Sequence, residues 1–190
     1  MRNGLSGTVL SINLSARKTE RKRPAAAGGA TLVLDRGLEG DAHAGDWHRQ
    51  VSLLGIESIV KMVARGLEVG PGDFAENLTT AGVDLLQLPV GTTLRVGPEA
   101  VLEISQLGKV CHARCAIYHQ AGDCVMPREG IFATVRAGGP VRIGDSIEVL
   151  ELGEGRCART PADYPVPTAA QLGRPLPTRQ GVEAELARGR

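Results

Sequence analysis

The apolar residues of this chain come in short runs that glycine repeatedly cuts off, and 25 glycines in 190 residues constrain its fold more than any other feature. GTVLSINL alternates over residues 7–14 and predicts an opening strand, and the β-branched run at residues 31–34 predicts a second. LPVGTTLRVGPEAVLEISQ predicts two strands joined at Gly97-Pro98, with Leu94, Val96, Val101 and Ile104 available for burial. GIFATVRAGGPVRIGDSIEVLEL predicts another strand pair, broken at Gly138-Gly139 and Gly144. One stretch changes period: Ile56, Ile59, Val60 and Val63 fall at i, i+3, i+4 and i+7, on one helix face, with Ser52 available as cap and Gly66 as stop. Many short strands and one clear helix predict a mainly β (α+β) fold, closed or partly closed into a barrel.

A chain this long, 42% hydrophobic, supports one packed core, expected over residues 1–152. Residues 153–190 are rich in Pro, Arg and Ala and carry almost no bulky apolar period. They form a tail that is disordered, draped on the domain or ordered by a partner, with a short terminal helix in VEAELARG. Aromatics are only 3%, so Val, Leu, Ile and Ala must fill the interior, and stacking surfaces for single-stranded nucleic acid are not expected. A net charge of +1 steers the chain toward neither polyanions nor membranes, so any anion site must be local. The first residues lack the apolar core of a signal peptide, and no run is long enough to span a bilayer. The expected location is the cytoplasm, where Cys111, Cys115, Cys124 and Cys157 stay reduced and act as reactive groups, ligands or small core residues.

Three segments carry candidate chemistry. The basic run ARKTERKRP reads as a solvated loop or as a contact to phosphate or a partner. GDAHAG, followed by Asp46, Trp47, His48, Arg49 and Gln50, lets backbone approach a ligand while side chains supply hydrogen bonds. A local turn held by Asp41 explains Asp41 and His43 as well. ISQLGKVCHARCAIYHQAGDCVMPREG holds three cysteines and two histidines; such crowding suits zinc, but Cys111 and Cys115 are off the paired spacing of a zinc ribbon, and Cys115 and Cys124 read equally as core thiols. Lys109, His112 and Arg114 surround Cys111 with groups that would favour a thiolate if they converge. Arg128, beside Gly130, is either a bidentate clamp for phosphate or a pyranopterin, or a surface arginine.

GLEGDAHAG, HRQVSLLGIESI, GDFAENLTTAGVDLLQLPVGTTLRVG, LEISQLGKVCHARC, REGIFATVRAGG and VRIGDSIEV, in this order over residues 4–150, resemble the MOSC family, the C-terminal domains of molybdenum cofactor sulfurases. The resemblance implies a MOSC-type β-barrel with a few peripheral helices, associated with the molybdenum cofactor (molybdopterin). The functional thiol follows the Ser-Gln pair, here Cys111 after Ser105-Gln106, as sulfur carrier or metal ligand. It implies Asp41, His43, Asn77 and Arg128 as pocket residues, beside Arg49, Lys109, His112 and Arg114 from the clusters above. Reductase members carry Pro before the thiol, whereas Val110 precedes Cys111, and CHARC resembles biosynthetic members more closely. The leading expectation is therefore cofactor binding with sulfur handling, served by a separate cysteine desulfurase or other sulfur donor and delivering to a molybdoenzyme or a cofactor-biosynthesis protein. The alternatives are a molybdenum-dependent reductase of N-hydroxylated compounds and a non-enzymatic, zinc-stabilised binding domain.

Overall fold

The computed structural model describes residues 5–18, 20–111 and 116–188, so the expectations for His112, Arg114 and Cys115 fall outside the described residues. The opening alternation forms β1 (Ser6–Leu14), with Val9 and Ile12 fully buried. Its register against a later strand shifts between Val9 and Ser11; this bulge turns Leu10 out to 41% exposure and brings Ser11 and Asn13 inward. Short β2 (Arg23–Pro24) pairs with the end of β1, and β3 (Gly29–Val33) pairs with β4 (Gly37–Leu38).

β5 (Val51–Gly55) runs straight into α1 (Ile56–Val63), which crosses over to β6 (Leu78–Ala81), and β5 and β6 are parallel, as such a crossover requires. β7 (Thr93–Val96) and β8 (Ala100–Leu107) form the expected pair. Beyond them come α2 (Ala116–Ala121), α3 (Met126–Glu129), β9 (Ile131–Ala137), β10 (Gly139–Arg142) and β11 (Ser146–Glu151). The pair expected over residues 130–152 is thus three strands. Gly138 and Gly139 break the run, and β10 leaves to join β3 and β4 in a side sheet.

Of the remaining eight strands, β2 only flanks β1, and the other seven close on themselves in the order β1, β11, β7, β8, β9, β5, β6 and back to β1, a barrel in which only β5–β6 is parallel. Ile12, Leu53, Leu78, Leu94, Leu102, Ile104, Ile131, Val135 and Ile147 fill it without solvent exposure, each contributing about 1.5–3 kcal/mol of burial. A second cluster lies outside the barrel wall, where Ile59 and Met62 of α1 meet Leu54, Phe74, Val125, Met126 and Phe132.

Two expectations about α1 are corrected. Ser52 is a strand residue in β5, and the cap position falls to Gly55, which offers no side-chain bond. Ile59 is buried as expected, but Val60 and Val63 are 56% and 48% exposed, and Ser58 and Met62 take the inner face. The helix leaves a strand whose pairing is already set, so its rotation follows the crossover rather than the most apolar stripe. Gly66 does end it, at φ +87° with its N–H on Val63 O.

The C-terminal segment lies on the barrel. Cys157 and Val182 are buried, and Leu172 joins the barrel core at 3% exposure. α4 (Ala169–Leu172) is closed by a capping box between Thr168 and Gln171, and α5 (Arg179–Arg188) contains the expected terminal helix. Thr160 Oγ1 donates to Ser105 O at 2.7 Å, and Arg174 Nη1 to Leu86 O at 2.5 Å. Among the described residues no helix is long and apolar enough to cross a membrane.

Candidate functional site

The loop between β4 and β5 is fixed from beneath by a buried ion pair. Lys22 Nζ donates to both carboxylate oxygens of Asp41, at 2.6 and 2.7 Å, and each side chain is 1% exposed. Asp41 also accepts from Ser15 N–H at 3.2 Å and His43 N–H at 2.9 Å. Burial by itself would raise the Asp41 pKa. The nearby His43 imidazole, the hydrogen bonds from Lys22 and the His43 N–H, and the charge of Lys22 together outweigh it and hold the carboxyl well below its usual range. Burial likewise pulls Lys22 down, against the attraction of Asp41 and, more weakly, of Glu76. Asp41 therefore holds the turn, its oxygens taken by protein donors. The basic run is only partly the solvated loop that its composition suggests: Arg21 and Arg23 are exposed, and Lys22 between them points inward.

Upon this base the loop presents His43, Trp47 and Arg49 to a hollow of about 240 Å³, lined also by Ser52, Phe74, Ala75, Asn77, Lys109, Met126 and Phe132. Four residues expected from sequence, His43, Arg49, Asn77 and Lys109, thus meet in one place. His43 Nδ1 is buried, 3.6 Å from Asp41 Oδ1 and beyond hydrogen-bond reach, while Trp47 Nε1 donates to His43 O at 2.9 Å. Asn77 contributes less as a donor to ligand than as a bracket. Its Oδ1 accepts from Ser52 N–H and Oγ, both at 3.0 Å, and its Nδ2 donates to Asn13 O at 3.2 Å, which ties β5, β1 and the start of β6 together. Ala75, in the wall, holds φ +62°, a strained conformation for a residue with a Cβ, and its carbonyl oxygen lies 3.2 Å from Ser52 Oγ.

Arg49 is the group with most left to give. Its Cζ lies 4.8 Å from the Trp47 ring centre, 5.3 Å from Tyr164 and 5.7 Å from Phe132. Its Nε is buried with no hydrogen-bond partner, and among the described residues it makes no ion pair with a carboxylate. Among the described residues the hollow's lining holds no Asp or Glu beside the charges of Arg49 and Lys109. The chain has one Trp, two Tyr and two Phe; Trp47, Phe74 and Phe132 line this hollow and Tyr164 covers Arg49. Rings too scarce to fill the core are gathered at one site.

The thiol segment leaves β8 beside it. Gly108, at φ +66°, donates to Gly130 O at 2.6 Å and accepts from Gln106 Nε2 at 2.6 Å, and Lys109 N–H bonds Pro127 O at 3.1 Å. Gln106 Oε1 lies 2.9 Å from Nε2 of buried His48, whose pKa burial lowers, so one glutamine links the imidazole to the thiol segment. Cys111 follows Lys109 by two residues and is exposed. Arg128 is placed otherwise than a ligand clamp requires. Both its terminal nitrogens bond Asp123, at 2.8 and 2.6 Å, and Arg65 bonds the same carboxylate at 2.6 Å, which lowers the Asp123 pKa to about 2. Cys124 is a buried thiol in the second apolar cluster, and burial raises the pKa of Cys157. Among the described residues no group of three or more His, Cys, Asp or Glu is placed to hold a metal.

Lys22, Phe74, Met126, Phe132 and Tyr164 were not singled out from sequence. A Lys between two exposed arginines, and rings scattered along the chain, carry no local sign of converging; the one usable signal was the scarcity of aromatics itself.

The YuaD protein of Bacillus subtilis has a solved structure similar to this one, with a TM-score of 0.64 at 19% identity over 76% of this chain and 95% of that one. YiiM from Geobacillus stearothermophilus gives 0.58 at 19% identity over 96% and 98%, and YiiM from Escherichia coli 0.54 at 18% over 100% and 94%. At these identities the likeness is one of fold. No curated protein matches the chain in sequence. The family model of the MOSC domain matches residues 39–148, which span the loop of Asp41 and His43, the bracket at Asn77 and the segment of Cys111, and the chain therefore belongs to the MOSC domain family.

Proposed function

We propose that this MOSC domain binds the molybdenum cofactor, or its metal-free pterin precursor, at the hollow between the 41–49 loop and the thiol segment, and handles sulfur at Cys111. The observation that carries this reading is a pair of cations, Arg49 and Lys109, facing a ring-lined hollow without a carboxylate, two residues from an exposed thiol. About 240 Å³ is below the usual range for a whole drug-sized ligand, so the hollow suits one phosphate head or one flat ring, the rest lying along the surface toward Cys111. Arg49 supplies in-plane N–H donors to a phosphate, Lys109 a second charge, and Trp47, Phe74 and Phe132 apolar faces for a ring. A bound cofactor would supply a metal able to accept sulfur or a thiolate ligand.

Cys111 needs an outside source of sulfur. Its thiolate takes the outer sulfur of a donor persulfide; the new S–S bond forms as the donor's own S–S bond breaks, and the donor leaves as a thiolate. No net oxidation occurs, and the donor is a separate persulfide-bearing protein.

Native mass spectrometry of freshly prepared, anaerobic protein tests the reading. Wild-type protein retains pterin mass, Arg49→Met and Lys109→Met lose most of it, and Cys111→Ala keeps pterin while losing any added sulfur. A preparation that never holds pterin, persulfide or molybdenum overturns it. Stoichiometric zinc surviving dialysis would instead favour the zinc-stabilised domain, and turnover of N-hydroxylated compounds by cofactor-loaded protein with a chemical reductant would favour the reductase.

A further inference from the structure

Arg49 lies within the matched family region, but one of the three rings around it does not. Tyr164 belongs to the C-terminal segment, beyond residue 148, and its ring sits 5.3 Å from Arg49 Cζ and 4.3 Å from the ring of His48, edge-on at 65°. The backbone around Tyr164 is held to the site by its own contacts. Arg159 pairs with Asp46 at 2.6 Å and Asp35 at 2.7 Å, on either side of the Asp41–His43 turn. Thr160 Oγ1 bonds Ser105 O, and Ser105 Oγ in turn donates to His48 O. Leu172 anchors the segment further along, packing beside Gly108 at the root of the thiol segment.

We infer that Tyr164 is a positioning residue for the anion site, holding the Arg49 guanidinium in place beside the hollow. A cation is attracted over the face of an aromatic ring within about 6 Å of its centre. The ring centres of Trp47, Phe132 and Tyr164 all lie within 6 Å of Cζ, so three rings from separate segments fix where the guanidinium sits. Its Nε has no hydrogen-bond partner in the protein, so the group keeps donor capacity. The C-terminal segment is then part of the binding site and not a passive appendage, and the ligand class it serves is a phosphate-bearing anion. This rests on the reading of the hollow as an anion site.

The test uses the full chain, with inorganic phosphate as probe and nuclear magnetic resonance of two side-chain signals. Trp47 is the sole tryptophan, so its indole N–H is assigned at once, and Arg49 Nε–H is assigned by its loss in Arg49→Lys. In wild-type protein and in Tyr164→Phe, which keeps the ring, the Arg49 Nε–H signal is sharp, exchanges slowly and moves with phosphate. In Tyr164→Ala it exchanges as an unrestrained arginine does, and phosphate affinity falls about fivefold, the effect of one semi-exposed cation–π contact. Arg179→Ala loosens the same segment at α5, where Arg179 pairs with Glu154 and Glu183, and should leave both readouts unchanged. Tyr164→Ala behaving like wild type, or Arg179→Ala behaving like Tyr164→Ala, overturns the inference and leaves the anion site standing. Wild-type protein that does not respond to phosphate overturns the anion site and the inference together.

Discussion

Replacing Lys22 by Met probes the foundation of the site without altering its walls. Met keeps most of the apolar stem and removes only the charge that meets both oxygens of Asp41, at 2.6 and 2.7 Å, in a place where each side chain is 1% exposed. Removing one partner of a buried pair costs about 3–5 kcal/mol, because the other charge stays behind unpaired. Asp41 retains two backbone donors, Ser15 N–H and His43 N–H, so the expected loss is near the lower end, about 3 kcal/mol. In a domain stabilised by roughly 5–15 kcal/mol, a deficit of that size is a clear fall in the urea midpoint at unchanged slope.

The pH dependence separates this cause from simple loss of packing. In the wild type the Asp41 pKa is lowered, so the pair's contribution is present above the unfolded carboxyl's value, about 4, and is lost as pH falls through the folded value. Lys22→Met removes the hydrogen bond and the charge of Lys22 that lower that pKa, so the folded carboxyl's pKa moves up and stability gains less as pH rises. The deficit should therefore be larger at pH 7 than at pH 4, and Lys22→Met with Asp41→Asn should recover most of it. A loss below about 1 kcal/mol, or one that does not change with pH, would refute the assignment of Lys22 as the charge that makes an ionised Asp41 tolerable.

Gly108 and Gly122 share a left-handed conformation, at φ +66° and +69°, yet a Cβ at Gly108 would overlap the Pro127 carbonyl oxygen and lie 2.5 Å from Leu172 Cδ2, while one at Gly122 meets nothing within 4 Å. Gly122→Ala should cost about 1–2 kcal/mol, from backbone conformation alone, and Gly108→Ala about 1–3 kcal/mol more, measured by urea denaturation; equal losses would contradict the packing. The lowered Asp123 pKa, about 2, set by Arg128 and Arg65, predicts stabilisation that is complete above about pH 4 and fades as pH falls toward 2. Its size is at most about 1 kcal/mol after allowing for solvent, and Asp123→Asn should converge with wild type at the acid end of a pH series of urea titrations.

Much of the architecture is legible along the chain because it is local. Alternation gives β1, glycines mark the strand ends around β7 to β11, and a change of period reveals α1. His43, Arg49, Asn77 and Lys109 are legible as candidate pocket residues, in part because the MOSC resemblance ties distant segments together, and they line one hollow. Arg128 shows the limit. Its neighbours in sequence fit a ligand clamp, but Asp123, five residues earlier, takes both its terminal nitrogens. Sequence spacing leaves a charged residue's partner open whenever more than one is within reach.

What the sequence determined by itself is the class of fold and the position of its breaks, consequences of backbone preferences and side-chain types acting over a few residues, together with the candidate thiol segment that the MOSC resemblance singles out. Tertiary structure alone decided which strand closes the barrel, which lysine of a basic run is buried, and that a tyrosine near the C-terminus faces an arginine over a hundred residues earlier. Those outcomes depend on the bulge at Leu10, the registers of β5 and β6 and the path of the C-terminal segment over the barrel. Each compares the desolvation of a group with the partners that a closed barrel places beside it, and that comparison does not exist until the chain has folded.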